Sequence, residues 1–207
     1  QAAYQSVLQG KPVAKKPVPP STWTTLPSLE APLVGRDEAL SRLAGAYARA
    51  RSGHGVMVLI SGEPGVGKSR LLQDFVTGLR GEATVMVGNG HETEKGLPYW
   101  PLIEALSPHV PDLGQTALQL EPHYLTQVAR ILPELRTLHP NLPAPTSMDT
   151  GQEHGYLCDA VVHWLQSLAA QHPPLVLCLD DLHWADEATL SWLEYLSHRI
   201  KNAPILV

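Results

Sequence analysis

The sequence predicts an α/β fold in which a parallel sheet is covered by helices on both faces. Residues 56–60 and 175–179 are uninterrupted apolar runs of the kind found in strands that are buried on both faces. Apolar residues at helical spacing follow the first run and precede the second. Because strands that alternate with helices usually pair in parallel, these observations favour a doubly covered parallel sheet.

The first half of the chain supplies two helices and two strands. Asp37 is expected to be the N-cap of a first helix. The buried face of that helix is predicted at Leu40, Leu43, Ala44 and Tyr47. Residues 56–60 are the first predicted strand, and 84–88 are the second. The helix between them is predicted from Leu71, Leu72, Phe75, Val76 and Leu79.

The second half of the chain begins with a weaker pattern and then becomes regular. Residues 89–150 are rich in proline and are predicted to be a helical insertion, with short helices over 101–106 and 124–132. Asp186 is expected to cap a later helix, and 204–207 resemble a strand. A long amphipathic helix is predicted from Tyr156, Leu157, Ala160, Val161, Trp164, Leu165 and Leu168.

A glycine-rich loop between the first strand and its helix fits the pattern G-x-x-x-x-G-K-[ST]. Its glycines allow backbone N–H groups to wrap a polyphosphate, and the following helix adds a positive dipole end. Lys68 is expected to reach the β- and γ-phosphates, and Ser69 to hold Mg²⁺. The pattern therefore predicts a P-loop NTPase fold. The predicted nucleotide-binding residues here are Gly62, Glu63, Pro64, Gly65, Val66, Gly67, Lys68, Ser69 and Arg70.

Two acidic residues, Asp180 and Asp181, directly follow the apolar run 175–179. The carboxyl end of a buried parallel strand is where open α/β sheets bind their ligands. Asp180 is predicted to orient the Mg²⁺ shell. Asp181 would face another direction, and it is predicted to activate the attacking water. Lys68 and Asp181 are thus the predicted catalytic residues.

Composition excludes several classes of partner. The chain has 207 residues and a net charge of −5, which gives no support to a nucleic-acid-binding surface. No apolar stretch approaches the ~20 residues that a membrane span needs. The two cysteines, Cys158 and Cys178, form no disulfide or metal framework. We therefore expect a cytoplasmic protein that contacts neither membrane nor nucleic acid through this segment.

The ends of the chain suggest a part of a larger protein. Residues 1–32 are predicted to be a linker and the tail of a preceding domain, because residues 11–20 are rich in proline and lysine. Residues 33–207 are predicted to be one NTPase domain. That domain is expected to be incomplete at its C-terminus, because the sequence stops at a strand.

Three motifs in this order resemble the NTPase module of STAND-type signalling ATPases. They are Val34-Gly35-Arg36-Asp37-Glu38, the loop 62–69, and Leu179-Asp180-Asp181-Leu182-His183-Trp184-Ala185-Asp186. The pattern is similar to the AAA-like ATPase domain of large bacterial transcriptional activators of the LuxR and antibiotic-regulatory classes. Leu97-Pro98-Tyr99-Trp100-Pro101-Leu102 is similar to the same family's pattern after its second strand.

The resemblance implies a set of ligands and partners. Gly35 and Arg36 would contact the adenine side of ATP or ADP bound with Mg²⁺. The module would be an ATP-hydrolysing switch that acts through effector, DNA-binding and sensor domains of the same polypeptide, and it could form a homo-oligomer when active. A last strand and a helical lid would lie beyond Val207, so hydrolysis by this chain alone is expected to be weak or absent.

Other functions are less well supported by the sequence. A non-catalytic, nucleotide-stabilised interaction platform is the main alternative, and the presence of both Asp180 and Asp181 argues against it. A GTPase switch is disfavoured because the sequence has no Asn-Lys-x-Asp guanine motif. An ATPase that acts directly on DNA is disfavoured by the acidic charge balance.

Overall fold

The computed structural model describes residues 34–79, 81–94, 96–110, 121–144, 150–171 and 174–207. The strands are β1 (Thr84–Asn89), β2 (Leu175–Asp180) and β3 (Ile205–Leu206). The helices are α1 (Asp37–Arg51), α2 (Lys68–Gly78), α3 (Trp100–Leu106), α4 (Pro122–Val128), α5 (Glu134–Leu138), α6 (Thr150–Gln171) and α7 (Glu187–Arg199). The predicted linker over 1–32 lies outside the described residues.

The three strands form one parallel sheet in the order β1-β2-β3. β1 and β2 pair over their full length, from Thr84 opposite Leu175 to Asn89 opposite Asp180. Because the strands are parallel and in register, their last residues meet at one edge of the sheet. This edge holds Asp180, the last residue of β2, and Asp181 follows it directly.

The predicted first strand lies beside β3 but pairs with it only briefly. Val56 forms a parallel bridge with Leu206, and the Val58 N–H donates to the Val207 carbonyl at 2.7 Å. Val58 and Ile60 pack against the core, whereas Leu59 is 79% exposed. The expectation that this run is buried on both faces is therefore wrong within the described part of the chain: residue alternation sends Leu59 to a face that these residues leave uncovered.

Side-chain alternation along β2 divides the core into two layers. Leu175 and Leu177 face a large cluster that includes residues of α3, α4, α6 and α7. Val176 and Cys178 face a smaller cluster that includes residues of α1 and α2. The prediction of a parallel sheet with helices on both faces is confirmed. A strand covered in this way must be apolar throughout, which explains the unbroken run at 175–179.

Helix boundaries differ from the sequence predictions at a few points. Arg36, not Asp37, is the N-cap of α1; Asp37 lies in the first turn, where its charge complements the helix dipole. α4 begins at Pro122, because proline suits the first position of a helix. Asp186 caps α7 as predicted, since its Oδ1 accepts the Thr189 N–H at 3.1 Å. Across the described ranges, no helix is both long enough and apolar enough to span a membrane.

Candidate functional site

The glycine-rich loop connects the extended segment 56–60 to the first turn of α2. Gly65 and Gly67 have φ angles of 79° and 93°, a region that favours glycine over every other residue. The Val66 N–H donates to the Glu63 carbonyl at 3.3 Å and closes a turn within the loop. The backbone is therefore bent into a cradle ahead of the helix.

The N-terminus of α2 is suited to an anion. Its N-cap, Gly67, has no side chain that could cap the helix, and the first turn contains no acidic residue. Lys68 instead puts a positive charge at the positive end of the helix dipole, and an anion bound there would offset that repulsion. The first-turn N–H groups of any helix have no acceptor within the helix. The residues present therefore fit a phosphate group.

The Lys68 ammonium lies over the loop. Its Nζ donates to the carbonyl oxygens of Gly62 at 3.0 Å and Glu63 at 3.1 Å. An ammonium has three donors, so two of the three are used within the loop. These contacts fix the charge at the cradle that precedes α2.

The structure brings the distant Gly35-Arg36 motif to the same loop. The Arg36 guanidinium donates from Nη2 to the Val66 carbonyl at 2.5 Å. Gly35 has a φ of 70°, which turns the chain just before α1. The predicted adenine contact of this motif remains a prediction. Arg70, also predicted to bind nucleotide, forms an ion pair with Asp74 one turn along α2 at 3.0 Å.

Asp180 and Asp181 have different surroundings. The Asp180 side chain is buried, and one of its carboxylate oxygens accepts the Asp181 N–H at 2.8 Å. Asp181 adopts a left-handed conformation with φ 52° and ψ 40°, which Asp tolerates better than most residues. Its half-exposed carboxylate lies 3.7 Å from His183 Nδ1. The turn thus separates the two carboxylates.

Ser69 and Asp180 supply oxygen donors of the type that Mg²⁺ prefers. Ser69 is in the first turn of α2, and strand alternation places Asp180 on the face of β2 that α2 covers. Mg²⁺ commonly takes only one or two protein ligands and shares phosphate oxygens with the nucleotide. The absence, among the described residues, of any three-residue His, Cys, Asp or Glu cluster is therefore compatible with such a site.

Sequence reasoning missed several polar residues around the acids. Asn89 is paired in register with Asp180, and the Gly90 N–H donates to the Asp180 carbonyl at 2.9 Å. Asp186 accepts the Tyr99 N–H at 3.0 Å in addition to capping α7. Asn89 follows an apolar strand just as Asp180 does, and this pattern is a signal in the sequence that could have identified it.

His154 on α6 is joined to the same region through Tyr99. Its Nδ1 lies 2.6 Å from the Tyr99 hydroxyl, and its Nε2 lies 3.5 Å from Cys158 Sγ. Burial lowers the pKa of His154, while the charge of Asp186 acts in the opposite direction. Tyr99 therefore connects Asp186, which accepts its N–H, to the long helix α6, where its hydroxyl contacts His154.

A comparison with protein families found one model that covers all of these motifs. A family model described as AAA ATPase domain matches residues 32–207, a range that contains the Gly35-Arg36 motif, the phosphate loop and both acids. Neither the comparison with curated proteins nor the comparison with solved structures found a match. The chain therefore belongs to the AAA ATPase domain family and contains a P-loop ATPase-like module.

Proposed function

We propose that this chain is the ATP-binding and ATP-hydrolysing switch module of a multidomain signalling or transcriptional regulator of the STAND class. The observation that carries the proposal is the N-terminus of α2, which has no side-chain cap. The Lys68 ammonium and the Arg36 guanidinium both donate hydrogen bonds to carbonyl groups of the loop before it. An anionic ligand would satisfy the N–H groups and balance the charges gathered there. Family membership supports a nucleotide as that ligand.

Each residue has a separate role in the proposal. Lys68 can donate to a phosphate oxygen with its remaining N–H, and the loop N–H groups can hold the other oxygens. Ser69 and Asp180 would hold Mg²⁺, which would neutralise phosphate charge when bound. The Asp181 carboxylate, which is half-exposed and lies beside His183, would orient and deprotonate a water molecule. ATP with Mg²⁺ would hold the module in one arrangement and ADP in another. Hydrolysis would reset the switch, whose output would pass through other domains of the protein.

The first experiment is calorimetric titration of ATP, ADP and GTP, each with Mg²⁺, into the wild-type chain and into Lys68→Ala. We expect adenine-selective binding by the wild type and no detectable binding by Lys68→Ala, because that variant loses a charge-assisted contact to phosphate. Lys201→Ala is the matched control, since Lys201 is an exposed lysine in the turn after α7. Its affinity should stay within about twofold of wild type. Unchanged binding by Lys68→Ala would overturn the site.

Substitution of the acids separates binding from hydrolysis. Asp181→Asn should bind ATP with nearly wild-type affinity and lose turnover, because the amide cannot accept a proton from water. Turnover is best measured in the full-length protein, by phosphate release. Loss of binding in Asp181→Asn would mean that the roles of Asp180 and Asp181 are reversed. Tight binding without turnover in the wild type would favour the nucleotide-stabilised interaction platform.

A further inference from the structure

The segment Gly88-Asn89-Gly90 is held between α3 and the backbone of Asp181 by close contacts. A Cβ added at Gly88 would lie 1.8 Å from the Pro101 carbonyl oxygen, and one added at Gly90 would lie 2.3 Å from the Asp181 carbonyl oxygen. Any side chain at either position would overlap with backbone atoms. The two glycines therefore let the end of β1 touch α3 on one side and the acids on the other.

Glu104 projects from α3 into this junction and is 1% exposed. One carboxylate oxygen accepts the Asn89 backbone N–H at 2.5 Å, and both oxygens lie 3.3–3.4 Å from Asn89 Nδ2. His91 Nε2 lies 3.8 Å from the same carboxylate. Burial of a carboxylate is unfavourable, and every other residue of α3 is an apolar residue that is also buried. Packing alone would therefore have favoured an apolar residue at position 104.

Asn89 links Glu104 to Asp180 and Asp181. Asn89 is the register partner of Asp180, and the next residue, Gly90, donates its N–H to the Asp180 carbonyl. Asp180 in turn accepts the Asp181 N–H on its carboxylate. We name the four residues Asn89, Gly90, Asp180 and Asp181 the acid edge. Three hydrogen bonds, linked by the backbone at Asn89-Gly90 and by Asp180 itself, thus connect Glu104 to the acid edge.

We propose that Glu104 is a positioning residue that fixes the acid edge for Mg²⁺ and nucleotide. The consequence for ligand binding rests on the proposed function, whereas the positioning itself rests on the contacts described above. Without the carboxylate, the Asn89 N–H loses its buried acceptor, and the end of β1 is free to move away from α3. Asp180 would then be less well oriented toward its cation.

The first test uses amide hydrogen exchange in Glu104→Met and Glu104→Gln. The matched control is Glu153→Met, which removes another buried carboxylate, the partner of Arg130 at 3.2 Å. The two variants are compared under conditions that give them the same free energy of unfolding. The amide exchange rates of Gly90 and Asp181 should then rise about tenfold more in Glu104→Met than in Glu153→Met. Glu104→Gln keeps an acceptor oxygen and should restore most of the protection. Equal exchange in the two Met variants would overturn the proposal.

The second test measures how much Mg²⁺ strengthens ATP binding. In Glu104→Met this enhancement should fall about tenfold, while the affinity without Mg²⁺ stays within about threefold, because Lys68 and the phosphate loop are unchanged. An unchanged Mg²⁺ enhancement would overturn the proposal even if exchange at the acid edge increased. If the wild-type chain binds no nucleotide, the proposed function fails, and the exchange comparison alone decides whether Glu104 positions the acid edge.

Discussion

At the scale of single residues, His154 shows how burial changes chemistry. A histidine in solution titrates near pH 6.5, but the folded chain lowers the pKa of His154 because its ring is partly removed from water. Its Nδ1 is 2.6 Å from the Tyr99 hydroxyl, so the ring also helps to satisfy a buried tyrosine. The folded chain therefore favours the neutral form of the His154 ring.

This environment predicts a pH dependence of stability. Between the lowered pKa of His154 in the folded chain and its unfolded value of 6.5, the unfolded chain binds more protons. The free energy of unfolding should therefore fall as the pH drops below 6.5, with the contribution of His154 fully present above that value. Denaturant titrations between about pH 5 and pH 8 will measure the slope. His154→Gln should flatten it, and His198→Gln, which alters an exposed histidine on α7, should not. Equal slopes in all three proteins would contradict the assignment.

At the scale of elements, Asp186 joins the start of α7 to the turn that precedes α3. Its carboxylate accepts the Thr189 N–H and hydroxyl at the start of α7. It also accepts the N–H of Tyr99, a buried residue in a left-handed conformation with φ 62°. One side chain therefore caps a helix and holds the strained turn that leads into α3.

Removal of the Asp186 carboxylate should lower the free energy of unfolding by more than the loss of an ordinary helix cap does. Asp186→Ala is expected to lower the free energy of unfolding by about 2–3 kcal/mol, because a cap contributes about 1 kcal/mol and the Tyr99 N–H also loses its acceptor. Asp186→Asn keeps an acceptor oxygen and should lose less than half as much. Urea denaturation monitored by circular dichroism will measure both values. A loss below about 0.5 kcal/mol in Asp186→Ala would show that the turn does not depend on this contact.

At the scale of the whole molecule, β2 joins the two layers of the core. Cys178 on β2 faces the layer formed with α1 and α2, and Cys158 on α6 lies in the layer on the other face. Both thiols are buried and free. Burial raises the pKa of Cys158 to about 11 and that of Cys178 to about 12. Each layer of the core therefore contains one thiol whose reactivity can report unfolding.

These thiols predict how the molecule unfolds. At pH 8, about one thiol in a thousand or fewer is ionised in the folded chain, so a thiol-specific reagent should react slowly. Because both layers pack on β2, both thiols should become reactive in the same urea transition that circular dichroism detects. Cys158→Ala and Cys178→Ala will assign the two signals. Rapid reaction of either thiol in the native protein, or two separate transitions, would contradict a single cooperative core.

The sequence by itself determined the features that depend on neighbouring residues. The phosphate loop was predicted because its glycines, lysine and serine must be adjacent in the chain, and the parallel sheet was predicted because a strand covered on both faces has to be apolar throughout. The Asp186 cap followed from a local pattern in the same way. Residue alternation also predicted that the side chains of Asp180 and Asp181 point in different directions. The left-handed conformation of Asp181 increases this difference.

Only the tertiary structure decided which distant residues meet. Arg36 reaches Val66, Tyr99 reaches Asp186, and Glu104 reaches Asn89 across 15 to 87 residues of chain. No local spacing encodes these contacts, because they depend on how α1 and α3 pack against the sheet. The same packing determined that Leu59 is exposed although it lies in an apolar run. Local chemistry thus specified the phosphate loop and the acids, and the packing of helices on the sheet placed the residues that support them.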